Sequence, residues 1–319
     1  MKAAVNNQER RDNVFDLVKS LSKAEKRNFK LYASRLGGGD AKFIALFDCL
    51  DNMEAYDEAK ILNRCPEIRK VQLPNMKAHL YRQVLVSLRL LGVGHSAHLR
   101  LGEQIDSARI LFDKGLYAQA ERALDKAEQT AEELEQFTKL MDILELRKQV
   151  QMVNVSSDMT HTAATANRRM IQLSKQIRTI NEISDLAVRL YALHLTLGYA
   201  RSQKDLDLLN IYFKPKLDSY ASRGLSFTER FYFYQAMAWY HYIRHNFAYS
   251  YRYGRAWIDM FDEKPEMKEV MYDSYLRGYS RVMEGMFLMR KNRLFLGTLD
   301  DFERECRTTG SINENAVMI

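Results

Sequence analysis

Apolar residues recur at steps of three and four positions along most of this chain, which is the spacing of one buried face on an α-helix. The pattern is clearest in residues 102–134, where Gly115 separates two such stretches. Glycine ends a helix well because it adopts the left-handed conformation without steric cost. The sequence therefore predicts a hairpin of two antiparallel helices that meet through small residues. Its apolar and small positions are Ile105, Ala108, Leu111, Phe112, Tyr117, Ala120, Leu124 and Ala127.

The same periodicity predicts helices through the rest of the chain. In the first third they are expected over residues 9–21, 22–36, 40–50 and 74–92, and a shorter one around residues 57–64. Ser22 and Glu25 have the spacing of a capping box at the start of the second of these. Later helices are expected near residues 137–153, 160–180, 184–202, 205–222, 227–245 and 247–261. With four prolines in 319 residues, the fold class is predicted to be all-α.

The small–Gly–Tyr–Ala–Leu–Ala spacing of residues 102–134 resembles the tetratricopeptide repeat, whose period is about 34 residues. Gln104 and Glu132 stand where that repeat has its early Trp and its closing Pro. A lone hairpin leaves apolar surface exposed, so the resemblance implies that further hairpins stack on it. For residues 96–319 it implies a right-handed α-solenoid of degenerate tetratricopeptide-like hairpins. A weaker copy of the spacing falls at Ala238, Phe247, Ser250 and Trp257.

Residues 1–95 are predicted to form a separate N-terminal helical section, which ends at the Gly92-Val93-Gly94 break. Two of its stretches, LSKAEKRNFKLYASR and FIALFDCLDNMEAYDEAKIL, resemble the opening of a group of bacterial helical-repeat proteins that have no assigned activity. This section is also basic, because residues 1–100 hold 18 Lys and Arg against 11 Asp and Glu. The other residues hold 30 of each class, so the net charge of +7 lies in the first third.

Several features predict a cytoplasmic protein with no membrane span. The N-terminus is polar, without the apolar run of a signal peptide. The longest uncharged stretch, residues 231–243, is too short to cross a bilayer. The three cysteines have no spacing typical of metal ligands, which favours reduced thiols.

The sequence contains no motif for nucleophilic catalysis, phosphate binding or dinucleotide binding. His241 and His245 stand four residues apart, a spacing that suits zinc, but no third ligand accompanies them. Histidines in the core or in a groove are the favoured interpretation. We therefore expect a protein that is not an enzyme and that uses no metal or cofactor.

Residues 227–261 hold both tryptophans among many other aromatic residues. Either both faces of the helix at 227–245 pack in the core, or one face lines an exposed concave groove, a role that suits Tyr and Trp. Tetratricopeptide-like proteins bind ligands on the concave side of the first helix of each hairpin. Carried over to this chain, the resemblance implies a groove lined by Ile105, Arg109, Phe112, Asp113, Tyr191, His194, Arg201, Tyr232, Gln235, Trp239, Tyr242, Tyr279, Met286, Met289 and Arg290.

The expected function is a scaffold that binds a peptide or protein segment in this groove, with Trp239, Tyr242 and Phe112 burying partner side chains. The alternative is a nucleic-acid-binding or nucleic-acid-associated regulator that acts through the basic face of residues 22–36, with Phe29 or Tyr32 stacking on bases. A solvated face with core aromatics is the simpler interpretation of that helix. Its basic residues are Lys23, Lys26, Arg27 and Lys30.

The end of the chain carries one more prediction. Ile312, Ala316 and Ile319 begin a new helical stripe without a stop signal. A solenoid needs a polar terminal element. We therefore expect either that the chain is cut short or that its last helix docks on another molecule.

Overall fold

The computed structural model describes residues 12–35, 41–94, 96–153 and 159–308. Every regular element within these ranges is helical, which confirms the all-α prediction. Contacts divide the chain into two compact units, Met1–Arg100 and Leu101–Ile319. Of the helices described, none combines the length and the hydrophobicity that a bilayer-spanning segment needs. The stripe predicted from Ile312, Ala316 and Ile319 lies outside the described residues.

The first unit packs its helices around one apolar core. These helices are α1 (Asn13–Ser20), α2 (Lys23–Ser34), α3 (Ala41–Asp51), α4 (Glu58–Arg64) and α5 (Leu73–Gly92). Leu46 and Leu50 of α3 are fully buried at the centre of this core. Phe29 of α2 packs on Phe47 of α3, with ring centroids 4.7 Å apart.

Local signals place the ends of these helices. The amide of Glu25 donates to the Ser22 hydroxyl, and the amide of Ser22 donates to the Glu25 carboxylate, which confirms the predicted capping box. Asp12 caps α1 and accepts a bond of 2.5 Å from Lys77 of α5. The last helix, α5, ends at Gly92, at the predicted break.

The second unit is built from helical hairpins. The boundary between the units falls within α6, so residues 97–100 of this helix belong to the first unit. The elements of the second unit are α6 (Ala97–Asp113), α7 (Tyr117–Glu133), α8 (Phe137–Val153), α9 (Met159–Leu197), α10 (Gln203–Leu208), a π-helical turn (Leu209–Phe213), α11 (Lys214–Ala221), α12 (Phe227–Ile243), α13 (Phe247–Glu263), α14 (Met267–Leu288) and α15 (Asn292–Thr308).

Helices α6 and α7 form the hairpin predicted over residues 102–134. Gly115 has φ of +74°, the left-handed conformation that its position requires. The amide of Leu116 donates to the Leu111 carbonyl at 2.9 Å, which satisfies one of the last carbonyls of α6. Ala108 and Ala120 are both fully buried in the same apolar cluster. Small residues are therefore buried on both helices of the hairpin.

The prediction of separate helices near 160–180 and 184–202 is wrong, because α9 runs unbroken from Met159 to Leu197. Asn181 is a weak helix former, but it lacks the backbone effect of Gly or Pro that stops a helix. Ile183 and Leu186 beside it are buried, and the packing of a buried face outweighs local propensity.

The helix predicted over residues 205–222 contains the π-helical turn Leu209–Phe213. This turn ends two residues before Pro215, which has no amide hydrogen to donate. In an α-helix the proline ring would also clash with the carbonyl of Ile211, four residues earlier. The wider turn carries the chain past the proline without ending the helix.

Helices α9 and α12 lie side by side and run in the same direction. Tyr191 of α9 contacts Trp239 of α12, with centroids 4.9 Å apart. One turn farther along both helices, His194 of α9 contacts Tyr242 of α12, with centroids 4.9 Å apart. Because the contacts advance together along the two helices, their axes are parallel.

Helix α14 also contacts α12 and is parallel to it. Arg281 contacts Trp239, and Glu284, one turn later, accepts a hydrogen bond from Tyr242. The intervening helix α13 is antiparallel to both. The result is a set of three neighbouring parallel helices, α9, α12 and α14.

Candidate binding surface on α9, α12 and α14

Four of the predicted groove residues meet where α9 packs on α12. The ring of Trp239 lies 4.9 Å from Tyr191 and 4.7 Å from His194, which stacks on it. Tyr242 presents its ring at a steep angle to His194 at 4.9 Å. Edge-on and offset aromatic pairs contribute about 0.5–1.5 kcal/mol beyond the area they bury. We call Tyr191, His194, Trp239 and Tyr242 the aromatic cluster.

Arg281 of α14 also packs on the aromatic cluster. Its guanidinium lies 4.0 Å from the Trp239 ring and 4.8 Å from the Tyr242 ring. Glu284 accepts hydrogen bonds from Arg281 and from the Tyr242 hydroxyl. A desolvated cation over an aromatic face contributes about 2 kcal/mol, so Arg281 joins α14 firmly to α12.

Neither Arg281 nor Glu284 is among the residues that the sequence predicts to line the groove. In the sequence, Arg281 is one arginine among many, next to the buried Val282 in the middle of α14. Its special feature is the pair of aromatic faces that α12 supplies. That pairing depends on which helix packs beside α14, so spacing within α14 carries no signal for it.

The Arg281 side chain is buried but incompletely hydrogen-bonded. The residue is 8% exposed, and its Nη1 is buried with no hydrogen-bond partner among the described residues. Burial lowers the pKa of Arg281 to about 10, against the opposing effect of the Tyr242 hydroxyl. A buried donor without a partner costs about 1–3 kcal/mol. Nη1 is thus a buried donor that is closed off from solvent.

Burial also controls the protonation of two cluster members. It lowers the pKa of His194, and the charge of Arg281 lowers it further, although a hydrogen bond to the Gly198 carbonyl opposes the change. Burial and a hydrogen bond of 3.1 Å between the hydroxyls of Tyr242 and Tyr199 raise the pKa of Tyr242 to about 12. Both side chains are therefore neutral at pH 7, and Arg281 is the basic group of this site.

Exposed apolar side chains on α9 lead up to the aromatic cluster. Val188, Tyr191 and Leu195 are 63%, 44% and 65% exposed, and steps of three and four place them on one stripe of the helix. Single exposed apolar residues are ordinary, whereas a contiguous set marks an interaction surface. We call these three residues the α9 row, and Tyr191 belongs both to the row and to the cluster.

The groove residues predicted on α6 lie in different surroundings. Ile105 is buried and Phe112 is half-buried, and both belong to the apolar cluster that contains α7 and α8. Arg109 and Asp113 are exposed on the surface of α6. Their part in binding stays a prediction, and of this set the two charged residues are the ones open to a partner.

The remaining predicted groove residues also differ in how far they are buried. Tyr279 is buried and packs on Phe302 of α15, with centroids 5.6 Å apart. Tyr232 and Gln235 of α12 are half-buried, while Arg201 and Arg290 are exposed. Of the methionines, Met286 is buried and Met289 is half-buried.

Helix α12 packs on both of its faces, which was one of the two interpretations of residues 227–261. Phe231 meets Trp257 of α13 edge-on, with centroids 5.5 Å apart. On a different face of the helix, Trp239 packs on α9 and contacts Arg281 of α14. Most of the aromatic residues of 227–261 are thus core, whereas Tyr249 of α13 and Tyr191 of α9 are exposed.

His241 and His245 do not form a pair. The helix ends at Ile243, and His245 takes φ of +57°, so the spacing of four residues no longer places both on one face. His241 stacks on Tyr253 of α13, while His245 contacts Tyr199 near the end of α9. Among the residues that the structure describes, no group of three or more His, Cys, Asp or Glu is arranged to hold a metal ion.

The basic face of α2 is partly neutralised. Lys26 lies 2.7 Å from Asp51, and Lys30 lies 2.6 Å from Asp48. Phe29 is buried in the core, so it is not available to stack on a base. A shallow depression runs along this face, lined by Lys23, Lys26, Arg27, Lys30, Leu31 and Ser34.

Tyr32 is half-buried and donates its hydroxyl to Gln83 of α5 at 2.8 Å. The aromatics of α2 therefore belong to the packing of the first unit. Lys23 and Arg27 are exposed basic residues of the depression, and no ion pair joins either of them to an acid among the described residues.

No protein-family model, curated protein or solved structure matches this chain.

Proposed function

We propose that residues 96–319 form a right-handed α-solenoid of tetratricopeptide-like hairpins, and that the protein is a non-enzymatic scaffold for a peptide or protein segment. The support is the order of the helices. Helices α9, α12 and α14 are neighbours with parallel axes, as the first helices of successive hairpins are in a stacked repeat. A cytoplasmic location and membership of the bacterial helical-repeat group are part of the same proposal.

The observation that carries the proposed function is the α9 row beside the aromatic cluster. In a tetratricopeptide-like arrangement, the first helices line the surface that takes ligands. Val188 and Leu195 offer exposed apolar area there, and Tyr191 adds a rigid aromatic ring with a hydroxyl. Tyr and Trp are the residues on which binding energy concentrates in protein interfaces. Trp239 acts as a buried support for Tyr191 and is not itself the contact surface.

Site-specific photocrosslinking tests this proposal. Leu195 is replaced by p-benzoylphenylalanine, and the protein is irradiated in native lysate with and without nuclease. We expect a protein adduct that survives nuclease and disappears when Val188 is changed to Asp in the same molecule. The matched control places the crosslinker at Ile171, which is 49% exposed on the same helix but outside the α9 row.

Equal adducts from positions 195 and 171 would contradict the proposal, since they would show general stickiness of α9. So would adducts at position 195 that persist after Val188→Asp. Circular dichroism of each variant shows whether the fold is kept.

The second candidate is nucleic-acid binding through α2, and the depression on its basic face favours it. Lys23 and Arg27 are exposed there, while Lys26 and Lys30 are paired with acids of α3. Binding to single-stranded DNA should weaken steeply with salt and should be lost in a Lys23→Glu, Arg27→Glu double variant. Unchanged binding in that variant would remove α2 from consideration.

A further inference from the structure

The α9 row is the last part of a longer apolar stripe on α9. The positions of this stripe follow one another at steps of three and four, so they share one face of the helix. The part that precedes the α9 row consists of Ala166, Met170, Leu173, Ile177, Ile180 and Ser184. Ser184 is the polar member of this otherwise apolar and small set.

The first part of the stripe is covered by another helix of the same chain. Ala166 and Leu173 are buried, and Leu173 shares an apolar cluster with Leu140 and Val150 of α8. Five residues separate the end of α8 from the start of α9, so α8 packs on the first part of α9. With 17 residues against 39, α8 is less than half as long as α9. It therefore leaves the last part of the stripe without a helix on it.

Beyond Ile180 the stripe and the buried face of α9 separate. Ile183, Leu186 and Leu190 are buried in the cluster that holds residues of α12. The stripe itself turns to the surface, because Ser184 is half-buried and all three residues of the α9 row are exposed. The segment 184–195 is about 16 Å long on a helix, or three turns. A helical face of the kind that α8 covers is thus open to a partner over that length.

We propose that an amphipathic helix of a partner protein packs on the α9 row, in continuation of the way α8 packs on the first part of the stripe. Its apolar residues, three or four positions apart, lie against Val188, Tyr191 and Leu195. Trp239 supports the Tyr191 ring from within the fold, with centroids 4.9 Å apart. This inference rests on the proposed function and names the class of its partner.

Selection from a random library of fourteen-residue peptides, with the full chain as the target, tests the inference. We expect selected peptides whose apolar residues recur at steps of three and four, whereas an extended segment presents every second residue. Affinity is measured by fluorescence anisotropy of the labelled peptide. Proline at a polar position in the middle of the peptide should weaken binding at least about fifty-fold, because it breaks a helix. Alanine at the same position should keep the affinity.

Variants of the protein assign binding to the stripe. Leu195→Asp should abolish binding, whereas Ile171→Asp, at an exposed position of α9 outside the stripe, should not. Ser184→Leu should strengthen binding several-fold, since it adds an apolar position on the side of α8. Thr196→Leu, at an exposed position outside the stripe, should leave the affinity unchanged. Circular dichroism of each variant shows whether the fold is kept.

Three results would overturn the inference, and they differ in what they say of the proposed function. If binding depends on Leu195 but the peptides alternate and tolerate proline, the helix assignment is wrong and the peptide surface stands. If no selected peptide depends on Leu195, the helix assignment and the peptide surface are both wrong. If the chain sediments as a dimer that Leu195→Asp dissociates, a second copy covers the α9 row in place of a partner protein.

Discussion

In the folded protein, the uncharged form of His241 is favoured over the protonated form. It stacks between Tyr249 and Tyr253, with centroids 5.0 Å and 5.6 Å away, and its Nδ1 is buried without a partner among the described residues. Burial and the nearby charge of Arg244 lower its pKa from 6.5 to about 4. The unfolded chain therefore binds this proton more readily than the folded chain does.

The stability of the second unit should consequently depend on pH. Because folding lowers the pKa of this histidine, the free energy of unfolding keeps its full value above pH 6.5. It decreases as the pH falls from 6.5 towards 4. For His241 we expect a loss of about 2 kcal/mol between pH 7 and pH 5. Urea unfolding followed by tryptophan fluorescence at the two pH values measures it.

A comparison of His241→Gln with wild type separates the contribution of His241 to this pH dependence from the contributions of other titratable groups. The pH-dependent loss should shrink clearly in the variant, and the part that remains is assigned to His194, whose pKa burial also lowers. His98→Gln, at an exposed histidine, should keep the wild-type dependence. The same pH dependence in His241→Gln as in wild type would contradict the assignment.

Gly278 allows α14 to approach α13 closely. A Cβ atom at this position would lie 3.0 Å from Cγ1 of Ile258 and 3.5 Å from the ring of Trp257. Alanine is the better helix former, but the crowding here should outweigh that advantage. We expect Gly278→Ala to lower the free energy of unfolding by about 1–3 kcal/mol in urea denaturation.

Gly297 of α15 provides the matched control, because a Cβ there would meet no atom within 4 Å. Gly297→Ala should stabilise the protein by up to about 1 kcal/mol through the lower entropy of the unfolded chain. Equal effects of the two substitutions would mean that close packing of α13 on α14 does not require a glycine.

At the scale of elements, Glu135 connects two hairpins. It lies in the turn between α7 and α8 and accepts from the amides of Phe227 and Thr228 at 3.0 Å and 2.8 Å. These are the first amides of α12, where a negative charge is also favoured by the helix dipole. We expect Glu135→Ala to lower the free energy of unfolding by about 1–3 kcal/mol and to speed hydrogen exchange in the first turn of α12.

Glu133→Ala is the control for this substitution, since the Glu133 carboxylate bonds to Gln129 within α7 at 2.9 Å. Its effect should stay within about 0.5 kcal/mol. The capping role is wrong if Glu135→Ala leaves exchange at Phe227 and Thr228 unchanged, whatever its effect on global stability.

The sequence predicts those features of this fold that depend on residues close together in the chain. The capping box of Ser22 and Glu25 and the turn at Gly115 depend on residues a few positions apart, and both are confirmed. The bond from Phe227 to Glu135 joins residues 92 positions apart. Such a pairing depends on which helices become neighbours, and periodicity within one helix contains no information on that choice.

The same reasoning explains the binding surface. The resemblance to tetratricopeptide-like proteins implies that Tyr191 and Trp239 line one surface, and the structure places them in contact. The resemblance does not predict that α14 covers Trp239 with Arg281, since this arginine lies 42 positions from Trp239 in the sequence. An aromatic residue on a helix is typical of both a core and a groove, and only its neighbours decide between them.

At the scale of the whole molecule, the two units have separate hydrophobic cores. Leu46 is fully buried in the core of the first unit, where it packs with residues of α1 to α5. Trp239 and Trp257, the two tryptophans of the chain, lie in the second unit. Tryptophan fluorescence therefore reports on the second unit, while circular dichroism reports helix loss in both.

Leu46→Ala should consequently destabilise the first unit and leave the second unit unchanged. Removing a buried leucine side chain costs about 2–5 kcal/mol, so the urea midpoint of the first unit should fall. Circular dichroism should then show an early transition that fluorescence does not follow. Leu190→Ala, at a fully buried residue of the second unit, should shift the fluorescence midpoint instead. Equal shifts of the circular dichroism and fluorescence midpoints in Leu46→Ala would contradict this prediction. A cavity in α3 can change the unfolding of the region around the tryptophans only if the two cores are coupled, so that result would mean that they unfold as one cooperative unit.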